Sequence, residues 1–340
     1  MKNTGALLVN LGSPDSPHEQ DVRRYLNEFL MDSNVIDMPW LIRRMIVSLF
    51  VLPKRPAQSA KAYASVWTEK GSPLISISKG LQEEVQKLTS MPVELAMRYG
   101  KPDMEGALVR LASKPEINEV LLFPLYPHYA MSTVKTVIEK AESIIEAHKL
   151  PITLKVHPVF YDHDAYIDAL VESAKDYLRD EYDHIVFSYH GVPERHIRKD
   201  DCTGNHCLKS DDCCQKASPA HKTCYRHQVY RTTASFVEKT DIPVDKYTVA
   251  FQSRLGRDKW LEPSTSSVVE SLAQQGIKKV LVICPAFVAD CLETLEEIGM
   301  EAKEDFIAAG GESLELIPCL NTHPAWAKVV SHWLENPLQN

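Results

Sequence analysis

The sequence predicts an α/β protein built from two similar, doubly wound parallel-sheet domains, and three observations predict it. Short apolar runs alternate with longer amphipathic ones along the chain, which is the pattern of βα units feeding a parallel sheet. The 340 residues suffice for two domains of roughly 100–200 residues each. The two halves also rhyme: each has an apolar strand closed by a Gly-containing turn with proline, and each has a second apolar strand running into a helix.

Taken in order, the first strand spans 6–11 and stops at Gly12-Ser13-Pro14. It is too short for a secretory signal and is interrupted by Asn10. An amphipathic helix follows near 17–30. The stretch Trp40–Leu52 is too short to span a bilayer and contains Arg43 and Arg44. Its apolar residues cover most of a helix, so it either packs as a core or lid helix or rests on a membrane surface. Helices at 57–67 and 76–88, strands at 92–97 and 118–124, a helix at 133–148 and a strand at 152–157 complete the first half.

The second half repeats the alternation, with strands at 184–189, 246–251, 278–284 and 313–317 and helices at 164–179, 264–275 and 323–335. The boundary falls around Lys149–Pro158. This gives a domain at 1–150 carrying the apolar segment 40–52, a domain at 151–320 with a cysteine-rich insertion at 200–225, and a terminal helix at 321–340 packing back on the body. In the rhyme, strand 6–11 corresponds to 184–189, and Val120–Pro124 to Val280–Pro285. Two such halves are expected to face each other across a cleft, with functional residues at the strand ends.

Composition excludes several classes. The chain is 44% hydrophobic and 25% charged, normal for a packed protein and not for a disordered or repetitive one. Its net charge is -8 and no basic block stands out, so a broad nucleic-acid groove is not expected. No Walker A loop, G-x-G-x-x-G or G-x-S-x-G occurs, which argues against nucleotide binding and an α/β-hydrolase nucleophile.

Four constellations could carry chemistry. In Ser188–His196, His190 ends an apolar strand before a Gly-x-Pro turn. A neutral imidazole there could ligate a metal or accept a proton, or it could simply cap the turn. In Pro285–Glu297, Asp290, Glu293 and Glu297 share one face of a regular helix while Glu296 lies off it. These are either a carboxylate ladder for a hard cation or protons, or an N-cap with a solvated acidic face. In Phe251–Pro263, Arg254, Arg257 or Lys259 could meet an anionic substituent and Trp260 could cover a flat apolar ligand, or the segment is an ordinary loop. Finally, Cys202, Cys207, Cys213, Cys214 and Cys224 crowd one insertion. That density favours an iron–sulfur cluster or zinc, with one cysteine in excess of four ligands; a disulfide-bearing loop is the alternative. Cys284, Cys291 and Cys319 are dispersed and expected to be buried apolar residues.

Together these segments resemble the ferrochelatases, which insert ferrous iron into a porphyrin. The resemblance runs through Leu8–Pro14, Gly71–Leu74, Met97–Gly100, Tyr126–Tyr129 and the blocks at 188–196, 251–263 and 285–297, in order. It implies two doubly wound domains enclosing a porphyrin cleft. His190 then matches the catalytic histidine and Glu293 its acidic partner, both also near the incoming iron. Asp290 and Glu297 match positions that pass protons or metal, and Leu11, Arg98, Tyr129, Trp260 and Phe287 match residues lining the macrocycle. Cys291 stands where many relatives have histidine, and Met131 where the animal enzymes have a cluster ligand. The cysteine insertion resembles a bacterial subgroup holding an internal [2Fe–2S] cluster, here on four of its five cysteines.

The resemblance further implies protoporphyrin IX and Fe2+ as substrates, with segment 40–52 as a lip touching the membrane. A cytoplasmic location, peripheral at the inner membrane, follows. A cobalt or nickel chelatase acting on another tetrapyrrole is the rival enzyme reading. A non-catalytic iron–sulfur sensor or ligand-binding module is the rival from another class.

Overall fold

The computed structural model describes residues 3–254, 256 and 258–338, so Leu255 and Arg257 of the loop after strand 246–251 lie outside the described residues, as do the chain ends. The described residues divide into two compact units. The first comprises the residues up to Tyr126, Met131–Pro158 and those from Trp326 onward; the second comprises Pro127–Ala130 and Val159–Ala325.

In the first unit, β1 (Thr4–Ser13), β2 (Val93–Gly100), β3 (Glu119–Pro124) and β4 (Thr153–Val156) form a parallel sheet in the order β2-β1-β3-β4. Central β1 is buried on both faces, which is why Ala6-Leu7-Leu8-Val9 reads as a continuous apolar run instead of an alternating one. Gly12 (φ +111°) lets β1 pass β2: a Cβ there would stand 1.8 Å from the Tyr99 carbonyl oxygen. Late in the chain, the helix Pro324–Glu335 presents Trp333 to Phe123 and His157, with ring centroids 6.3 and 5.2 Å away.

Segment 40–52 forms a short helix, Trp40–Ile46, continued by a wider π-helical turn, Val47–Val51. Val47 and Leu52 are buried, but Trp40 (59%), Leu41 (74%), Leu49 (63%) and Phe50 (69%) are exposed. The core-helix alternative is therefore corrected: most of this apolar surface faces outward. Among the described residues, no helix is long and apolar enough to cross a membrane.

The second unit repeats the topology. Strands β5 (His184–His190), β6 (Tyr247–Gln252), β7 (Lys279–Ile283) and β8 (Ser313–Leu316) are parallel in the order β6-β5-β7-β8. β5 and β7 thus occupy the places of β1 and β3, as the paired motifs predict. Val186, Ala250, Val269, Val282 and Phe306 form the core on one side of this sheet.

Three helices before β6 escape the apolar periodicity. Met104–Ala112 lies between β2 and β3, Glu194–Lys199 follows β5, and Tyr225–Thr240 follows the cysteine-rich insertion read at 200–225. The last buries Tyr225, Gln228, Thr232 and Thr233 alongside Val229 and Phe236. A face that buries hydroxyls and an amide has no apolar stripe to detect. The regular helix expected through 290–297 is also corrected. A single turn, Leu292–Leu295, gives way to a π-helical segment, Glu297–Ala302, so the 100° spacing does not hold there.

Candidate functional site

The chain leaves β5 for β6 on one side and reaches β7 on the other, so the direction of strand addition reverses beside β5. In open α/β sheets the crevice at the carboxyl ends of such strands is where ligands bind. β5 delivers His190 to that position, half-buried, after the fully buried Ile185–Tyr189. Its Nδ1 lies 2.6 Å from the Gly191 carbonyl oxygen. A carbonyl only accepts, so Nδ1 carries the proton in the neutral ring and Nε2 holds the lone pair. The carbonyl of His190 accepts the Tyr225 hydroxyl at 2.9 Å, which ties the strand end to the helix Tyr225–Thr240.

The turn after His190 is closely backed. A Cβ on Gly191 would stand 3.0 Å from the Gln252 carbonyl oxygen and 3.3 Å from the Trp260 ring. Trp260 pairs by a β-bridge with Pro193, and the Leu261 N–H donates to the Val192 carbonyl at 3.1 Å. The Phe287 ring, from the loop after β7, lies 6.3 Å from the His190 ring. His190, Trp260 and Phe287 therefore gather at one end of the second sheet.

The acidic residues divide by environment. Asp290 is buried, and its carboxylate accepts the Asn321 amide at 2.6 Å and the Thr294 hydroxyl at 2.9 Å. Cys291 caps the turn Leu292–Leu295, its N–H donating to Thr294 Oγ1 at 3.0 Å. Burial pushes the Cys291 thiol up, as it does those of Cys284 and Cys319, so all three behave as the buried apolar residues expected. Glu297 is held by Ser253, whose N–H donates to one carboxylate oxygen at 2.7 Å and whose hydroxyl donates to the other. Burial raises the Glu297 carboxyl, while the hydrogen bonds from Ser253 and the electrostatic interaction with His190 oppose that rise. Gln252 donates to the Glu293 carbonyl at 2.5 Å. Glu296, set aside by the helical-wheel reading, has its carboxyl pushed up to about 7 by burial and by Glu301, Glu297 and Glu293.

Gln252, Ser253 and Tyr225 are thus partners of the site that motif reading did not single out. The available signal was an uncharged polar pair ending a buried strand. Tyr129 also belongs to the second unit, its N–H donating to Gln228 Oε1 at 2.7 Å. Next to it, burial pushes the His128 imidazole down to about 3, so it is neutral.

Leu11 and Arg98 belong to the first unit. Leu11 is half-buried near the end of β1. Arg98 is ion-paired with Asp32 and donates to Thr136 Oγ1 at 2.8 Å, and Asp32 also takes the Tyr99 hydroxyl at 2.9 Å.

In the cysteine-rich segment, Cys207, Cys213 and Cys224 are buried, Cys214 is half-buried and Cys202 is exposed. Against its burial, hydrogen bonds from Thr203, Cys207 and His206 hold the Asp201 carboxyl well below the usual range and shape the loop. The Cys224 thiol is drawn down to about 6 by hydrogen bonding from Cys214 and, after the opposing effect of burial, by Cys207. Arg226 Nη1 lies 3.5 Å from Cys213 Sγ and 3.6 Å from Cys214 Sγ. Among the described residues, no three His, Cys, Asp or Glu side chains stand preassembled as a metal-binding group.

Comparison with known proteins gives the family of the chain. The Ferrochelatase family model matches residues 3–338. A ferrochelatase of Pseudomonas fluorescens (strain Pf0-1) is 54% identical over 333 residues, covering 97% of each chain. That of Ectopseudomonas mendocina (strain ymp) is 55% identical over 328 residues, covering 96% of each. Among solved structures, SirB from Bacillus subtilis with Fe3+ superposes with a TM-score of 0.56 over 98% of this chain and 95% of its own, at 11% identity, a likeness of fold. With a family match from end to end and relatives identical at more than half of their positions, this chain belongs to the ferrochelatase family.

Proposed function

We propose that this protein inserts ferrous iron into protoporphyrin IX, with His190 accepting the pyrrole protons and Glu293 and Glu297 relaying protons or guiding iron. The observation that carries the assignment is His190 at the reversal point of the second sheet, its Nε2 lone pair fixed by the Nδ1 contact to Gly191 and its ring in the field of Glu297.

The chemistry asks for these groups. A free porphyrin is a flat aromatic disc that must lose two inner protons before a cation can enter. Ring buckling raises a nitrogen lone pair out of plane, at a cost that binding of the periphery offsets. Phe287 and Trp260 supply apolar surface beside His190 for that grip. His190 Nε2 takes a proton, and the carboxylate of Glu297 stabilises the imidazolium. Asp290, with both oxygens engaged, fixes the start of the acidic segment.

A [2Fe–2S] cluster is part of the same proposal, on Cys207, Cys213, Cys214 and Cys224. The donor set suits it: four thiols in electrostatic contact through Cys224 and Cys207, with a guanidinium against two sulfurs. Cys202, exposed, is the cysteine left over. The cluster would supply stability or redox sensing. The outward apolar side chains of segment 40–52 support peripheral contact with the cytoplasmic side of a membrane.

The deciding experiment is an anaerobic assay of Fe2+ insertion into protoporphyrin IX with parent protein and His190→Ala, repeated with Co2+ and Ni2+. The parent is expected to turn over with iron, and the variant to lose turnover while staying folded. Near-normal insertion by His190→Ala would remove the assignment.

A further inference from the structure

Beyond the residues that exchange protons, the buried pair Gln252-Ser253 connects the two sides of the site. Gln252 ends β6 directly beside His190 in the sheet register. Its side chain is buried and spent at both ends. Gln252 Oε1 accepts the Ser188 hydroxyl at 2.7 Å, and Nε2 donates to the Glu293 carbonyl at 2.5 Å while lying 3.5 Å from Glu297 Oε2. Its backbone carbonyl accepts the Gly191 N–H at 2.6 Å. One residue therefore touches the turn after His190, the strand that carries His190 and the acidic segment.

Ser253 follows with φ +59°, a left-handed conformation that non-glycine residues seldom adopt. That conformation brings its N–H and its hydroxyl to the two oxygens of one carboxylate, Glu297. Strained backbone of this kind persists where the surrounding structure holds it in place, and it collects at functional sites.

We propose that Gln252 and Ser253 are positioning residues for metal insertion, fixing Glu293 and Glu297 against the strand end that carries His190. The inference rests on the roles given above to His190 and these two glutamates. The amide polarity is required: the Ser188 hydroxyl faces its oxygen, and the Glu293 carbonyl faces its nitrogen. A carboxylate at 252 would set acceptor against acceptor. Ser253 fixes the rotamer of Glu297 with a backbone donor that no side-chain substitution removes, and with a hydroxyl that one does.

The test is steady-state kinetics of Fe2+ insertion on Gln252→Glu, Ser253→Ala, Ser253→Gly and Ser253→Thr, with His190→Ala in parallel and urea unfolding of each. Misplacing the carboxylates is expected to lower kcat by ~10- to ~100-fold in Gln252→Glu and Ser253→Ala, with KM for the porphyrin within about twofold of the parent. Ser253→Gly separates placement from folding, because glycine adopts φ +59° freely. It should unfold at the same or higher urea than the parent yet turn over as slowly as Ser253→Ala. Ser253→Thr restores the hydroxyl on a β-branched residue that φ +59° disfavours, so it should unfold at lower urea than Ser253→Gly yet turn over faster than Ser253→Ala. If Ser253→Gly and Gln252→Glu are folded and match the parent in kcat while His190→Ala is inactive, the positioning role is overturned and the assignment of His190 stands. If His190→Ala is itself active, the underlying reading fails instead.

Discussion

Asp290 and Asn321 hold each other in both directions. The Asn321 amide donates to the Asp290 carboxylate at 2.6 Å, and its oxygen accepts the Asp290 N–H at 2.8 Å. Asn321 does this from a left-handed backbone, φ +48°. Asn321→Gly keeps that backbone and deletes both bonds, leaving a buried carboxylate short of donors. It should lower stability by about 1–3 kcal/mol, read as an earlier urea midpoint. An unchanged midpoint would mean that Asp290 finds other partners.

The raised carboxyl of Glu296 makes stability depend on pH in a defined sense. Its folded value of about 7 lies above the ordinary 4.5, so the folded state binds the proton more tightly than the unfolded chain. The Glu296 contribution is fully present below about pH 4.5 and is lost as pH rises through about 7. Glu296→Gln should therefore unfold at higher urea than the parent at pH 8, with the difference vanishing toward pH 4. A constant difference at every pH would contradict the cause given.

Tyr225 anchors His190 from behind through its 2.9 Å bond to the His190 carbonyl. Tyr225→Phe is expected to cost about 1 kcal/mol of stability. It should also lower kcat several-fold without changing KM for the porphyrin. Parent-like kinetics would show that the strand end needs no such anchor.

The cysteine assignment has a visible readout. Protein purified anaerobically should be red-brown and contain iron and acid-labile sulfide. Cys202→Ser should keep the colour, whereas Cys207→Ser, Cys213→Ser and Cys224→Ser should each lose it. A colourless parent after reconstitution with iron and sulfide would exclude the cluster.

The outward apolar segment predicts membrane binding. Parent protein should float with anionic liposomes, and a Leu41→Asp/Phe50→Asp variant should stay in the dense fraction. Turnover with detergent-solubilised porphyrin should be equal for the two, since these side chains lie in the exposed segment. Flotation of both would place the contact elsewhere.

Much of the frame was legible because its signal is local. A strand buried on both faces must be apolar throughout, so β1, β3, β5 and β7 stand out as short runs. His190 was legible for the same reason, as a titratable residue where such a run meets Gly191. The helix Tyr225–Thr240 was not, because its buried face is built of Gln228, Thr232 and Thr233, whose partners come from elsewhere in the chain. The acidic segment was misjudged in geometry, since a π-helical turn changes the angular spacing without a sequence signature.

The sequence by itself determined the repeated βα plan, the family and the ends of strands on which reactive groups sit, all carried by apolar runs and short turns. Only the tertiary structure decided how each acid is held. Asp290 is engaged by Asn321, Glu297 is gripped by Ser253, and Glu296 is desolvated among like charges. The physical reason is that a carboxylate's charge and direction depend on burial and on donors distant in sequence, and no spacing rule along one helix contains either.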